Sequence, residues 1–219
     1  MPRRAIELCP GEYYHLYNRG NNRERIFYER ENYGFFMRRV WKHLVPVLDV
    51  VAYCLMPTHY HLLVLVKRME TSEVSETSEV SPVSRAMQRL SISYTKAMNK
   101  RYDRVGSLFQ GAFQAKRVDK NEYLVHLSCY IHLNPVTGGL VDHPADWDFS
   151  SYRDYVGLRN GALPVPEVVL TQFPSREAYR DFVAEETPSE QAVIADLLFD
   201  PPDFRSLRDF GSLQALEVK

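Results

Sequence analysis

The sequence predicts an α+β fold built on a four-stranded antiparallel sheet with helices on one face. Its 219 residues are 45% hydrophobic, which is enough for one well-packed core. Stretches with strand and helix periodicity follow one another in the order β-α-β-β-α-β-α. Only a short Met-Pro-Thr break separates the second strand from the third, so these two form a hairpin. This order is the split β-α-β, or ferredoxin-like, plan, and the last helix is an addition to it.

The first half of the chain holds three strands and one helix. Residues 12–18 are rich in aromatic side chains and predict a strand, which an Asn- and Gly-rich turn ends. From 28 to 44 the apolar side chains recur at spacings of three and four, which is typical of a helix, and Pro46 ends it. Residues 47–55 and 59–66 are the β-rich runs of the hairpin, and we expect both strands to lie in the centre of the sheet.

The second half repeats this pattern with a loop, a helix and a strand. Residues 71–83 contain a tandem repeat of Thr-Ser-Glu-Val, whose polar composition cannot bury a core, so a flexible surface loop is expected over about 70–83. Residues 84–101 carry apolar side chains at near-helical spacing, and residues 114–118 predict an edge strand.

A third helix follows the edge strand. Asp119 is the expected N-cap, with Glu122 in the spacing of a capping box. We expect this helix to end at about Leu133, because Pro135 disfavours helical backbone at Asn134.

The charge is distributed unevenly along the chain. The net charge is −1, but residues 85–120 hold nine basic and two acidic side chains, whereas residues 121–219 hold seven basic and sixteen acidic ones. A basic middle favours a polyanion-facing surface, although solvated helix faces would look the same. We therefore divide the chain into a core at 1–155 and an acidic helical C-terminal extension at 156–219, with helices expected near 175–185 and 190–198.

Other features of composition indicate a cytoplasmic protein. No signal-peptide pattern or membrane-spanning apolar run is found. The three scattered cysteines, Cys9, Cys54 and Cys129, fit reduced thiols better than a disulfide framework.

Two histidines provide the first candidate for chemistry. His59 and His61 lie two apart in a predicted strand, so both imidazoles project from one face. Such a pair can share a divalent cation, but two ordinary histidines on a half-exposed strand would give the same pattern. On the third helix, Tyr130 and Asn134 are four residues apart and share a face, as does His126. Tyr130 could act as a nucleophile and Asn134 as a carbonyl ligand, although a core tyrosine is equally compatible.

Four further stretches belong together as motifs: MPTHYHLL at 56–63, YIHLNPV at 130–136, YHLYNRG at 14–20 and GSLFQG at 106–111. Together they resemble one family, the single-tyrosine transposases of the "HUH" type (IS200-like), in the branch called REP-associated tyrosine transposases, and the resemblance spans residues 10–155. Trp147, Phe149 and the Ser-Ser-Tyr at 150–152 agree with it. Tyr60 is an unusual middle residue for the histidine motif, but its ring can still pack.

The resemblance implies a role for each matched position. His59, His61 and Asn134 would bind Mg²⁺ or Mn²⁺, and Tyr130 would attack the scissile phosphate to form a 5′-phosphotyrosine. Residues 1–155 would then be the catalytic domain. The partner would be single-stranded or hairpin DNA, and the protein a monomer or homodimer without a membrane partner.

Basic side chains near these motifs are candidates for phosphate contacts. They are Arg19, Arg23, Lys96, Lys100, Arg101, Arg104, Lys116 and Arg117. Three other readings remain open: a replication-type HUH nickase, a non-catalytic hairpin-binding protein derived from a transposase, and a metal phosphodiesterase that uses water.

Overall fold

The computed structural model describes residues 7–68, 81–185 and 192–198, and these follow the predicted order of elements. The strands are β1 (Tyr13–Arg19), β2 (Leu48–Met56), β3 (His59–Val66) and β4 (Gln114–Val118). The helices are α1 (Arg30–His43), α2 (Pro82–Arg101), α3 (Asn121–Thr137), α4 (Tyr152–Tyr155), α5 (Glu167–Leu170) and α6 (Arg176–Glu185). Short 3₁₀ turns occupy Asn21–Arg23, Pro144–Asp146 and Ala192–Leu197. Most of the predicted loop at 70–83 lies outside the described residues.

The four strands form one antiparallel sheet in the order β2-β3-β1-β4. The predicted α+β split β-α-β architecture is therefore confirmed. One detail was wrong, because β2 lies at the edge of the sheet and β1 takes the central place beside β3. The edge of β2 is nevertheless covered by later parts of the chain through backbone hydrogen bonds. Leu55 donates to the Phe149 carbonyl, Ser151 donates to the Tyr53 carbonyl, and Val165 donates to the Val50 carbonyl. This cover explains why an edge strand has a central strand's apolar composition.

The two helices of the split core, α1 and α2, pack on one face of the sheet as predicted. Their buried side chains, among them Phe36 and Tyr94, form one cluster with Leu16, Tyr60 and Leu62 from the strands. The Tyr60 ring lies 5.1 Å from the Phe36 ring, centroid to centroid. The unusual middle residue of the histidine motif is thus a core aromatic on the α1–α2 face, and it leaves His59 and His61 on the opposite face.

Helix α3 packs on that opposite face. Its buried residues Leu127 and Ile131 contact Leu63 and the β2 residues Val51 and Ala52 within one apolar cluster. A register shift between Val50 and Ala52 turns two consecutive β2 residues toward α3.

Both predicted ends of α3 were wrong. The N-cap is Lys120, one residue later than expected, and no side chain caps it. The helix also continues through Pro135 to Thr137. In this stretch the Asn134 side chain donates a 2.8 Å hydrogen bond to the Tyr130 carbonyl, and Gly138 donates to the Asn134 carbonyl beyond the proline. Asn134 therefore lies within the helix, one turn after Tyr130.

The described C-terminal residues pack against this same face. Tyr179 of α6 and Leu197 of the last 3₁₀ turn are buried in the α3 cluster. The expected helix near 190–198 is a 3₁₀ turn rather than an α-helix. Within the described ranges, no helix is both long and apolar enough to cross a membrane.

Candidate active site

Three histidines lie on the α3 face of the sheet. In the register of β1 and β3, Tyr17 pairs with His61 and Arg19 pairs with His59. The period of two along β1 then brings His15 to the same face. The His61 ring is 5.0 Å from that of His59 and 5.1 Å from that of His15, centroid to centroid. His15 and His61 are fully buried, and His59 keeps part of its ring at the surface.

The Nδ1 atoms of the predicted histidine pair are engaged in hydrogen bonds. Nδ1 of His59 lies 2.9 Å from the Thr58 hydroxyl, and Nδ1 of His61 lies 2.9 Å from Nε2 of His15. The remaining nitrogen of each ring, Nε2, is therefore the atom that each histidine can direct toward a shared ligand.

Helix α3 closes the site from above the sheet. The half-buried Tyr130 ring makes an edge contact with His61, at 5.6 Å between centroids. The Asn134 side chain lies close enough to His59 and His61 to influence the pKa of both imidazoles. One N–H of its amide group is used by the Tyr130 carbonyl, which leaves the amide oxygen available as a ligand. The two sequence motifs thus meet at one place.

Both histidines are neutral at physiological pH. Burial lowers the pKa of His59 to about 4, with a smaller contribution from the Arg19 guanidinium. Burial also lowers the pKa of His61 well below its ordinary value, with smaller contributions from the neighbouring His59 and His15, because protonation of one ring would disfavour protonation of the next. A neutral imidazole has one nitrogen lone pair available for a metal ion.

The donor set fits a hard or borderline divalent cation. Two neutral imidazoles and one amide oxygen converge, and such nitrogen and oxygen donors suit Mg²⁺ or Mn²⁺ with open positions left for a substrate. The part of the chain that the structure describes contains no group of three or more His, Cys, Asp or Glu side chains arranged for a metal. A metal site formed by His59 and His61 would therefore need the Asn134 oxygen as its third protein ligand.

The basic candidates divide between two regions. Arg19 and Lys116 lie on the histidine face, since Arg19 of β1 pairs with His59 of β3, and Lys116 of β4 pairs with His15 of β1. Arg23 is exposed in the turn after β1. Lys96, Lys100 and Arg101 are exposed on α2, behind the sheet.

Several of these cations already have protein partners. Arg101 pairs with Glu29, Arg104 with Glu24 and the Tyr28 hydroxyl, and Arg117 with Glu12. Lys116 donates a 2.7 Å hydrogen bond to the Leu198 carbonyl. Contacts of all eight with DNA stay predictions.

Sequence reasoning missed His15. The signal was available, because the split β-α-β plan places β1 beside β3, and alternation then puts His15 and Tyr17 on the face of the histidine pair. His126 shares a helix with Tyr130 but contacts Phe182 of α6, 5.4 Å between centroids.

A solved structure has this fold. The structure described as a REP-associated tyrosine transposase bound to a REP hairpin matches with a TM-score of 0.55 and 18% identity, over 72% of this chain and 86% of that chain. This chain has the fold of that transposase. The match is to the same branch that the sequence motifs resemble, and at this identity it concerns the fold.

Other comparisons add little. A structure from Deinococcus radiodurans R1 with a provisional transposase assignment matches over 59% of this chain and 95% of that chain at 16% identity. Its TM-score of 0.33 is too low to support an argument. No protein-family model and no curated protein matches the sequence.

Proposed function

We propose that this protein is a metal-dependent endonuclease and strand transferase of the transposase type. It cuts single-stranded DNA at or near a hairpin through a covalent bond between Tyr130 and a 5′ phosphate. The observation that carries the proposal is the convergence of two distant motifs. His59 and His61 come from a strand and Tyr130 and Asn134 from a helix, yet the His61 ring lies 5.0 Å from that of His59 and 5.6 Å from that of Tyr130, and Asn134 is near enough to influence the pKa of both histidines.

The residues of the chain divide the chemistry between them. His59, His61 and Asn134 would hold Mg²⁺ or Mn²⁺. The chemistry supplied by a bound ion is Lewis-acid polarisation of a phosphate oxygen. Arg19, beside His59, would attract the phosphate by its positive charge.

The proposed cleavage step is an in-line displacement. The Tyr130 hydroxyl oxygen attacks phosphorus, the P–O3′ bond breaks, and a phosphotyrosine forms. The phenol proton is lost to solvent, and the leaving 3′ oxygen takes up a proton to become a 3′-OH. Because the phosphodiester bond energy is kept, attack by a 3′-OH on the phosphotyrosine rejoins the strand and releases Tyr130 without ATP.

The substrate class is supported by the site and by the fold. A metal and a helix-borne tyrosine must reach the same phosphate in line, which an unpaired strand permits more easily than a duplex does. The structural relative is a transposase bound to a hairpin.

The test is covalent trapping. The full-length protein is incubated with Mn²⁺ and a hairpin oligonucleotide that has single-stranded flanks, taken from repeats beside the gene, and a denaturation-resistant adduct is sought on a gel. Tyr130→Phe keeps the ring and its packing against His61, so hairpin binding should remain while the adduct disappears. Tyr123→Phe is the matched control on the same helix, because the Tyr123 hydroxyl contacts only Lys120 among the hydrogen bonds described.

The outcomes separate the alternatives. An adduct that persists in Tyr130→Phe would exclude this nucleophile. Hairpin binding without any adduct in the unmodified protein would indicate a non-catalytic hairpin-binding protein. Cleavage without an adduct, unaffected by Tyr130→Phe, would indicate a phosphodiesterase that uses water.

A further inference from the structure

A chain of hydrogen bonds runs from residues 192–198, here called the C-terminal segment, to the candidate metal site. The Leu197 carbonyl lies 2.7 Å from Nδ1 of His15, and Nε2 of His15 lies 2.9 Å from Nδ1 of His61. All three residues are buried, and His15 is fully enclosed. The two imidazole rings are nearly parallel, with an angle of 22° between their planes.

The direction of each hydrogen bond in this chain can be deduced. A carbonyl oxygen only accepts, so Nδ1 of His15 must carry a proton and donate it to Leu197. A neutral His15 then has a bare Nε2, which only accepts. His61 must therefore donate from Nδ1, and this leaves the lone pair of His61 on Nε2. His15 is fully buried, and burial disfavours the charged imidazolium, so the neutral form is the one present.

We propose that His15 is a positioning residue, which uses the Leu197 carbonyl to hold His61 in the tautomer and orientation that present its Nε2 to a metal ion. Histidine ligands in metal sites generally donate their second ring N–H to a carbonyl, a carboxylate or water, and this fixes the ring. Here the acceptor is a second histidine, whose own tautomer is fixed by the backbone of the C-terminal segment. The metal part of this inference rests on the proposed function, whereas the tautomer does not.

The C-terminal segment is held in place by the sheet itself. The Lys116 ammonium on β4 donates to the Leu198 carbonyl, one residue beyond the carbonyl that His15 uses. Leu197 also packs into the α3 cluster. The charge pattern suggested that the C-terminal extension is separate from the core. The extension nevertheless supplies the Leu197 carbonyl, which is linked to His61 by two hydrogen bonds through His15.

Nitrogen-15 NMR of the histidine side chains in the metal-free, full-length protein tests the tautomer directly, because protonated and bare ring nitrogens have distinct shifts. We expect neutral His15 and neutral His61 at pH 7.5, each protonated on Nδ1. Assignments come from spectra of His59→Ala and His15→Gln. Protonation of His61 on Nε2, or of His15 on both nitrogens, would overturn the proposal.

The second arm measures Mn²⁺ binding by calorimetry in two variants of His15. In His15→Gln the amide can still donate to Leu197 and accept from His61, so Mn²⁺ affinity should stay within a few-fold and Nδ1 of His61 should stay protonated. In His15→Phe both hydrogen bonds are lost, and the Mn²⁺ affinity should fall by about 10-fold or more. This is the usual effect of removing a residue that hydrogen-bonds to a metal ligand. Equal Mn²⁺ affinity in a folded His15→Phe protein would overturn the positioning role.

Each possible failure has a separate reading. If His15→Phe does not fold, the unmodified spectrum and the His15→Gln titration still decide the proposal. If the tautomers are as stated but Mn²⁺ does not bind to the unmodified protein, the metal part of the proposed function fails, and the role of His15 is then limited to holding the His61 ring. An adduct assay gives an independent reading of Tyr130.

Discussion

His59 and His61 are neighbours in one strand, but their environments differ. His59 is partly exposed and is held through Thr58, the residue before it, whereas His61 is fully buried and is held through His15 from another strand. Replacement of His61 therefore disturbs a buried network, and replacement of His59 removes a ligand with less effect on packing. The two positions are not equivalent as tests of metal binding.

We predict that His59→Ala lowers Mn²⁺ affinity and abolishes adduct formation, because two donors remain where three converge. Isothermal titration with Mn²⁺ measures the affinity, and circular dichroism checks the fold. His43→Ala is the matched control, since His43 is a half-buried histidine on α1, behind the sheet. EDTA should reproduce the loss of activity in the unmodified protein. Full cleavage in the presence of EDTA would remove the metal from the mechanism.

A second residue-scale prediction concerns Asn134. Asn134→Leu removes the amide oxygen proposed as a ligand and the hydrogen bond to the Tyr130 carbonyl. We expect weaker Mn²⁺ binding and loss of the adduct. Asn134→Asp restores an oxygen donor with a negative charge, so Mn²⁺ affinity should recover to at least the original level. Unchanged Mn²⁺ affinity in Asn134→Leu would exclude Asn134 as a ligand.

Among the elements, the turn after β1 positions the histidine motif. Gly20 donates its N–H to the Thr58 carbonyl, next to His59, and a Cβ at Gly20 would lie 2.0 Å from the Glu24 carbonyl oxygen. Backbone atoms cannot move aside as a side-chain tip can. The absence of a side chain at this position is therefore required by the turn.

We predict that Gly20→Ala destabilises the protein by about 1–3 kcal/mol, the usual cost of overpacking. Gly34→Ala is the control within α1, where the nearest atom is the tip of Arg38 at 3.5 Å. That variant should be stabilised by up to about 1 kcal/mol, because alanine is the better helix former. Urea unfolding curves measure both, and equal stabilities for the two variants would contradict the steric argument.

The element pattern was largely predictable, and its exceptions have local causes. Strand-forming composition predicted the four strands, apolar spacing predicted α1 and α2, and the expected N-cap and the position of Pro135 predicted α3. The end of α3 was predicted wrongly, because the usual preference of the residue before a proline for extended backbone is not followed at Asn134. The site itself was predictable only in part. Motifs identified His59, His61, Tyr130 and Asn134, but the bond from His15 to Leu197 joins residues 182 positions apart.

On the scale of the whole molecule, the sheet separates two surfaces. The face behind the sheet carries α1 and α2 with the exposed cations Lys96 and Lys100, and the other face carries the histidines, α3 and the C-terminal residues. The acidic character of the extension therefore does not make it a separate body. Its described part shares a core with α3, and the domain boundary at 155/156 stays a prediction.

His132 joins three parts of this second face. Its Nδ1 lies 2.7 Å from the Tyr179 hydroxyl of α6, and its Nε2 lies 2.7 Å from the Ser151 hydroxyl. Ser151 in turn bonds to the backbone of Tyr53 in β2. The side chain of His132 on α3 thus connects the C-terminal helix to the edge strand of the sheet.

This connection makes the fold sensitive to acid. Burial, helped by the charge of Arg159, lowers the pKa of His132 from 6.5 to about 3. The unfolded chain takes up a proton below about pH 6.5 and the folded chain does not, so the stabilisation is complete above pH 6.5 and is lost as the pH falls toward 3. Linkage gives a loss of about 1 kcal/mol at pH 5.5 from this group. Urea unfolding at pH 7.5, 6.5 and 5.5 measures this loss of stability.

The control is His132→Gln, which keeps hydrogen-bonding atoms but does not titrate. It should be less stable than the unmodified protein at pH 7.5 and should lose less stability on acidification. The same loss between pH 7.5 and 5.5 in both proteins would show that His132 is not the group responsible.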